Sequence, residues 1–201
     1  MFKKRLKILS QEAELIHRVR KGDKQAFTTL VNLNEDRLYR YCFYLTGSHA
    51  LADDIYQEAM IKAFRKIQSL DEGSSFRSWC FKIAHNTYID YLRLKKNADH
   101  ENIDNAPEQV LKSNTIELKN TIEMALSHLD PVEKQVVLLI DLGEHSYEDA
   151  GEITQLSYEA LQWKLREGRR KFKEYFVENE IEVTGIFVLP KKGRAGNDQK
   201  R

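Results

Sequence analysis

From Ser78 to Arg93 the sequence SWCFKIAHNTYIDYLR spaces four chemically capable side chains, Trp79, Lys82, Asn86 and Arg93, at helical intervals. At about 100° per residue they share one flank of a helix. A π-face, an amide that donates and accepts, and two cations suit an unpaired nucleic-acid strand. Rings stack bases, cations meet phosphates, and an amide reaches a base edge. The competing reading is an amphipathic core helix with a buried Trp and solvated charges, and spacing alone leaves both open.

The element that must position these groups runs from Ser74 to Lys96, with Phe76, Trp79, Cys80, Ile83, Ala84, Thr87, Tyr91 and Leu94 recurring at helix period. A polar loop at 71–75 leads into it. Upstream, a short helix is expected over 10–21, followed by a KGD turn. Phe27, Leu30, Val31, Leu38, Tyr41, Cys42 and Leu45 predict helix across 24–45, which Thr46-Gly47-Ser48 stops, with Ser48 free to cap the next helix. That next helix, 50–67, puts Ile55, Tyr56, Ala59, Met60, Ala63, Phe64 and Ile67 on one face. Asp54, Glu58, Lys62 and Arg65 lie opposite, and Glu58 stands one turn before Lys62.

After Lys96 the composition turns acidic and aperiodic, so 97–114 reads as a flexible linker. Helical patterning resumes near Thr115. Asp130-Pro131-Val132-Glu133 then carries a cap, a proline at the first helical position and a returning glutamate, and the helix it opens ends at Gly143. Ser146-Tyr147-Glu148-Asp149 opens a short helix, and Ser157-Tyr158-Glu159 opens a longer basic one that reaches Phe176. A short helix, a turn of about three residues and a longer basic helix have helix-turn-helix spacing. Leu161, Leu165, Phe172 and Phe176 would pack inward, leaving Gln162, Lys164, Arg166, Arg169, Arg170 and Lys173 for DNA. Gln and Arg near the start of such a helix read base edges, and later cations suit phosphates. Residues 177–201 read as a disordered basic tail.

Of 201 residues, 31% are charged and 41% apolar, with three prolines and nine glycines, a helix-rich soluble profile. No apolar run approaches the ~20 residues of a membrane span. The basic start has no apolar stretch long enough for a signal peptide, so a cytoplasmic chain without membrane insertion is expected. Cys42 and Cys80 stand in no metal-ligand spacing, and no phosphate loop, dinucleotide loop or nucleophile elbow appears. No enzyme, metal or cofactor is therefore expected. Net charge is only +1, yet it is blocked: residues 1–21 carry seven Lys/Arg against two Glu, and 157–173 carry six against two. Phosphate binding depends on such local faces rather than on the sum.

Together the two halves resemble a small, two-domain bacterial RNA polymerase sigma factor of the sigma-70 family, extracytoplasmic-function type. The front match is carried by Gly22-Asp23-Lys24-Gln25-Ala26-Phe27, by Ala52-Asp53-Asp54-Ile55-Tyr56-Gln57-Glu58-Ala59, and by Phe76-Arg77-Ser78-Trp79 with Ile83-Ala84-His85-Asn86 and Asp90-Tyr91-Leu92-Arg93. The back match is Leu129-Asp130-Pro131, Ser146-Tyr147-Glu148-Asp149 and Arg169-Arg170.

The resemblance implies an all-α fold. A helical sigma domain 2 bundle at 10–96 would be joined by the linker to a helix-turn-helix sigma domain 4 at 115–176. It implies a promoter-specificity subunit partnered by core RNA polymerase, through clamp helices and flap, by promoter DNA and, as is common in the family, by an anti-sigma factor. Asp54, Gln57, Glu58, Lys62 and Arg65 would meet polymerase. Ser74, Arg77, Trp79, Lys82, Asn86 and Arg93 would take the −10 element as the duplex opens. Ser157, Tyr158, Gln162, Lys164, Arg166, Arg169 and Arg170 would read the −35 element. Gln155 replaces the family's usual turn glycine, Gly151 a usual alanine, and Gln162 and Trp163 a usual Lys and Ser. These departures leave open a sigma-like protein that no longer reads −35 DNA. A helix-turn-helix regulator that never meets polymerase is the other alternative.

Overall fold

The computed structural model describes residues 2–71, 74–98 and 114–179, which form helices and the turns between them, with no strand among the described residues. The linker and tail expectations fall largely on 99–113 and 180–201, outside the described residues.

The first helix, α1 (Phe2–Arg20), starts well before residue 10. Gly22, at φ +94°, reverses the chain in a conformation that side-chain-bearing residues avoid. Asp23 then caps α2 (Lys24–Asn32) by accepting the Ala26 N–H at 3.1 Å, and its carboxylate also takes the Arg18 guanidinium at 2.7 Å. The single helix expected over 24–45 is two, α2 and α3 (Glu35–Thr46). The break needs neither glycine nor proline. Asn34 Nδ2 donates to the Leu30 carbonyl at 2.9 Å, satisfying an end acceptor of α2, and Glu35 and Asp36 supply negative charge at the start of α3. Ser48 caps α4 (His49–Lys66) through the Leu51 N–H, as its position suggested. One 3₁₀ turn, Ile67–Ser69, follows. The opening of α5 (Phe76–Ala98) is held by Ser75 Oγ, which accepts the Ser78 N–H.

The apolar stripes of these helices meet around Tyr41, Phe76 and Phe81, all fully buried, each contributing roughly 1.5–3 kcal/mol by leaving water. Tyr41 OH lies 3.1 Å from His85 Nδ1 inside this core. Cys42 and Cys80 are free and buried beside them, and burial pushes both thiols up, Cys42 to about 12, so neither is a ready nucleophile.

The back bundle comprises α6 (Asn114–Ser127), α7 (Pro131–Val137), a π turn at Leu138–Leu142, α8 (Tyr147–Thr154) and α9 (Tyr158–Glu178). Asp130 accepts the Val132 and Glu133 N–H groups at 2.9 Å, and Glu133 returns to the Asp130 N–H at 3.1 Å. Ser146 and Asp149 repeat this reciprocal cap on α8. Where α7 meets α9, a Cβ on Gly168 would lie 2.8 Å from a Val137 methyl, so the two helices touch across a single hydrogen. The bundles themselves pack together, α5 against α8 and α3 against the π turn.

Candidate nucleic-acid interface

Residues four apart on α5 lie nearly above one another, and Trp79, Lys82, Asn86 and Arg93 form the expected stripe. Trp79 is half-buried, its ring 6.1 Å from Phe76 at 45°, so the core fixes one end of the indole while the other meets solvent. Asn86 and Arg93 are exposed, with Arg93 held loosely to Asp90 at 3.6 Å. Ser74 is exposed just before the helix. Arg77 lies on the other flank, about 160° around the helix from Trp79. It donates to the Glu144 carbonyl at 3.1 Å, and its own charge is disfavoured by burial and then by Arg37. The residues expected to take the −10 element are therefore one stripe, Ser74 ahead of the helix, and an arginine that faces the back bundle.

On α4, Asp54, Gln57, Glu58 and Arg65 are exposed along one side, and Lys62 borders them, donating to Thr87 Oγ1 at 3.2 Å and pairing with Glu58 at 3.6 Å. Ile61 and Phe64 stand among them at 44% and 42% exposure. The sequence pattern assigned Phe64 to the buried face and passed over Ile61. In the fold Phe64 packs edge-on against Phe27 at 5.0 Å and keeps its outer face in water. Such a mixed stripe, apolar at its centre and charged at its rim, is what a docking helix presents. An isoleucine inside a polar stripe was the signal available in the sequence.

In the helix-turn-helix, Gln155 sits at φ +59°, ψ +28°, so the bend keeps the left-handed backbone that a glycine would supply. Its Nε2 donates to the Glu152 carbonyl at 2.7 Å and closes the end of α8. Ser157 caps α9 through the Ala160 N–H. Tyr158, Gln162, Trp163, Arg166, Arg170 and Lys173 are exposed. Tyr147, Glu159, Gln162, Trp163, Arg166 and Arg169 border a shallow groove of about 530 Å³.

Two residues expected to be available to DNA are turned inward. Lys164 is two positions, about 200°, from Gln162, and its ammonium reaches Asp130 at 2.6 Å. Burial opposes the ionised Asp130, yet the Lys164 contact and the Glu133 backbone N–H hold its carboxyl well below the usual range. Arg169 grips Asp141 with two donors, Nε at 3.0 Å, and that bond raises the guanidinium pKa. Arg170 points outward but sits in a pair with Glu174 at 2.6 Å and Glu167 at 3.0 Å. The solvent-facing part of the expected set on α9 thus reduces to Tyr158, Gln162 and Arg166 beside Trp163, with Lys173 further along. Among the described residues no group of His, Cys, Asp or Glu could hold a metal ion, and no helix is long and apolar enough to cross a membrane.

Residues 30–98 match sigma-70 region 2 and residues 119–172 match sigma-70 region 4, together more than half of the chain. Similar proteins include the ECF RNA polymerase sigma factor SigW of Bacillus subtilis, 30% identical over 176 residues that cover 79% of this chain and 93% of SigW. The ECF RNA polymerase sigma factor SigE of Mycolicibacterium smegmatis is 28% identical over 81% of this chain and 67% of its own length. The fold is shared with the sigma factor RpoE solved with the anti-sigma factor NepR from Bartonella quintana (TM-score 0.66, 22% identity, 75% of this chain and 96% of that one). It is shared equally with CnrH in complex with the cytosolic domain of CnrY (TM-score 0.67, 20% identity, 84% and 99%). A region 2 bundle bearing an aromatic, cationic helix, followed by a region 4 helix-turn-helix, makes this chain a member of the extracytoplasmic-function sigma factors of the sigma-70 family, the promoter-specificity subunits of bacterial RNA polymerase.

Proposed function

We propose that the chain divides promoter recognition among three surfaces. The α4 stripe of Asp54, Gln57, Glu58, Lys62 and Arg65, with Ile61 and Phe64 at its centre, docks on the clamp helices of core polymerase, where charge sets register and the two apolar side chains supply desolvated contact. The α5 stripe, with Ser74 and Arg77 beside it, takes the −10 strand. Trp79 stacks a base displaced from the duplex, Asn86 meets its edge, and Lys82 and Arg93 meet phosphates. Unstacking a base costs a few kcal/mol, and stacking returns about 1–3 kcal/mol per base, so a few cationic contacts decide the balance. The N-terminal half of α9 enters the major groove at −35, Gln162 and Arg166 reading base edges from a helix anchored by Ser157. Lys164 and Arg169 hold that helix on its domain instead of contacting DNA. The polymerase performs the chemistry, in the cytoplasm, and this chain supplies address and opening. An anti-sigma partner, of the kind solved with RpoE, is part of the same reading.

The half-exposed ring of Trp79 on the stripe with Lys82, Asn86 and Arg93 carries this reading. In holoenzyme, Trp79→Ala with Asn86→Ala is expected to lower open-complex formation about tenfold to a hundredfold, the loss of one stacked base. The readout is permanganate reactivity of unpaired thymines, and co-purification with polymerase should not change. Undiminished thymine reactivity would remove the stripe from the mechanism.

A further inference from the structure

The exposed face of α9 carries a residue that attraction to DNA alone would not place there. Glu159, in the first turn, is exposed and borders the same shallow groove as Gln162, Trp163 and Arg166. At about 100° per residue it falls between Gln162 and Trp163 around the helix, beside Arg166. The next two carboxylates along α9 are engaged by Arg170, Glu167 at 3.0 Å and Glu174 at 2.6 Å. Among the described residues Glu159 makes no ion pair or hydrogen bond. It does not close the helix cap either, since Ser157 accepts the Ala160 N–H. A bare carboxylate on a surface that must approach phosphates is repelled by them. The purely structural account is that a negative charge in a first turn suits the helix dipole.

Trp163 stands one turn further on. It is 48% exposed, although Leu161 and Leu165 on either side of it are buried, so half of the indole is left for a partner. The major groove offers each of these side chains a different complement. A carboxylate needs a donor, and the amino groups of cytosine and adenine are the donors there. Cytosine fits better, because adenine sets the N7 acceptor beside its amino group and that acceptor repels a carboxylate. An indole offers apolar surface, which matches the C5-methyl of thymine. Residues about one turn apart on a recognition helix meet successive base pairs.

We propose that Glu159 and Trp163 are a second reading pair for the −35 element, the carboxylate accepting from a cytosine amino group and the indole covering the methyl of a neighbouring thymine. The proposal rests on the reading of α9 above, to which Gln162 and Arg166 belong. An acid and a bulky ring both weaken general attraction to DNA, so their work is to reject wrong sequences. Holoenzyme assembled from core polymerase and the full chain is offered random-sequence duplexes long enough to span both promoter elements, and the bound pool is sequenced. The selected −35 motif is expected to hold a cytosine next to a thymine on one strand. Glu159→Gln should change the cytosine position to adenine, because an amide donates and accepts at once. Trp163→Ser should release the thymine position alone. Deoxyuridine in place of that thymine removes one methyl and should weaken wild-type binding about fourfold, with no effect on Trp163→Ser. Glu159→Ala should bind duplex of unrelated sequence more tightly than wild type while losing about tenfold in discrimination at the cytosine. An unchanged motif in either the Glu159→Gln or the Trp163→Ser variant overturns the pair. So does a Glu159→Gln variant that only melts earlier, the outcome expected of a charge serving the helix dipole. Gln162→Ala with Arg166→Ala separates this proposal from the reading beneath it. If that variant relaxes the motif while the other two do not, the pair falls and α9 still reads DNA. If none of them relaxes it, both fall.

Discussion

Glu133 shows how much of the back half depends on single charges. Its side chain is 2% exposed, accepts Lys171 Nζ at 2.7 Å, has Lys164 at 4.0 Å, and closes the cap on the Asp130 N–H. The hydrogen bond to Glu133 raises the Lys171 pKa. The two ends are not equivalent, because Lys171 can turn to water and Glu133 cannot. Lys171→Met leaves the buried Glu133 carboxylate only the Asp130 N–H and the more distant Lys164, and is expected to lower the urea midpoint more than Glu133→Gln, which frees a lysine that rehydrates. Equal midpoints would show that Glu133 is hydrated after all. On the outer side of α9, Gln162→Ala is expected to weaken preference for one −35 base pair by about 1–3 kcal/mol in duplex binding without moving the unfolding midpoint. Lys164→Met should do the reverse, lowering stability and leaving base preference alone.

Among the helices, those whose ends are set by near neighbours were legible in the sequence. Asp130 with Glu133, Ser146 with Asp149, Ser48 and Ser157 all cap as their spacing promised, since a cap needs only the next three residues. The stripe of Trp79, Lys82, Asn86 and Arg93 on α5 could be read for the same reason, its face following from period alone. What could not be read depends on partners distant in sequence. Asp141 claims Arg169 from the π turn after α7, and Phe27 props Phe64 half out of the core. The Asn34 bond that splits α2 from α3 is local, but it competes with an apolar pattern that runs straight through. The helix-turn-helix bend is a sharper test of local reading. Gln155 holds a left-handed backbone, which costs a β-branched residue about 1–2 kcal/mol. Gln155→Val is expected to lower stability by that amount in thermal melts, and Gln155→Gly is expected not to lower it. If both variants melted alike, the bend would not depend on that conformation.

Across the whole molecule, acid sensitivity should come from two imidazoles in different settings. His85 is pushed down to about 4 by burial in the front core. His145, against Phe81 of the front bundle, is pushed to about 4 by burial and then by Arg77 and Arg37, with Asp149 opposing. Both are neutral when folded and take a proton more readily once exposed. Their contribution is therefore complete above pH 6.5 and is lost as pH falls toward 4, by about 3 kcal/mol for His85 at pH 4. Urea midpoints that stay flat between pH 7 and 4 would contradict this, and His85→Gln should remove much of the slope. The order of the helices has a last consequence, for the chain during its own synthesis. Every packing contact inside the front bundle is made by residues up to Ala98, whereas the helix-turn-helix follows about 50 residues later. At roughly 5–20 residues per second a ribosome delivers it seconds after the front core can form. Each nascent chain therefore passes through an interval in which the cationic helix can be folded and the helix-turn-helix is not yet made, so polyanions near the translating ribosome meet the first before the second exists.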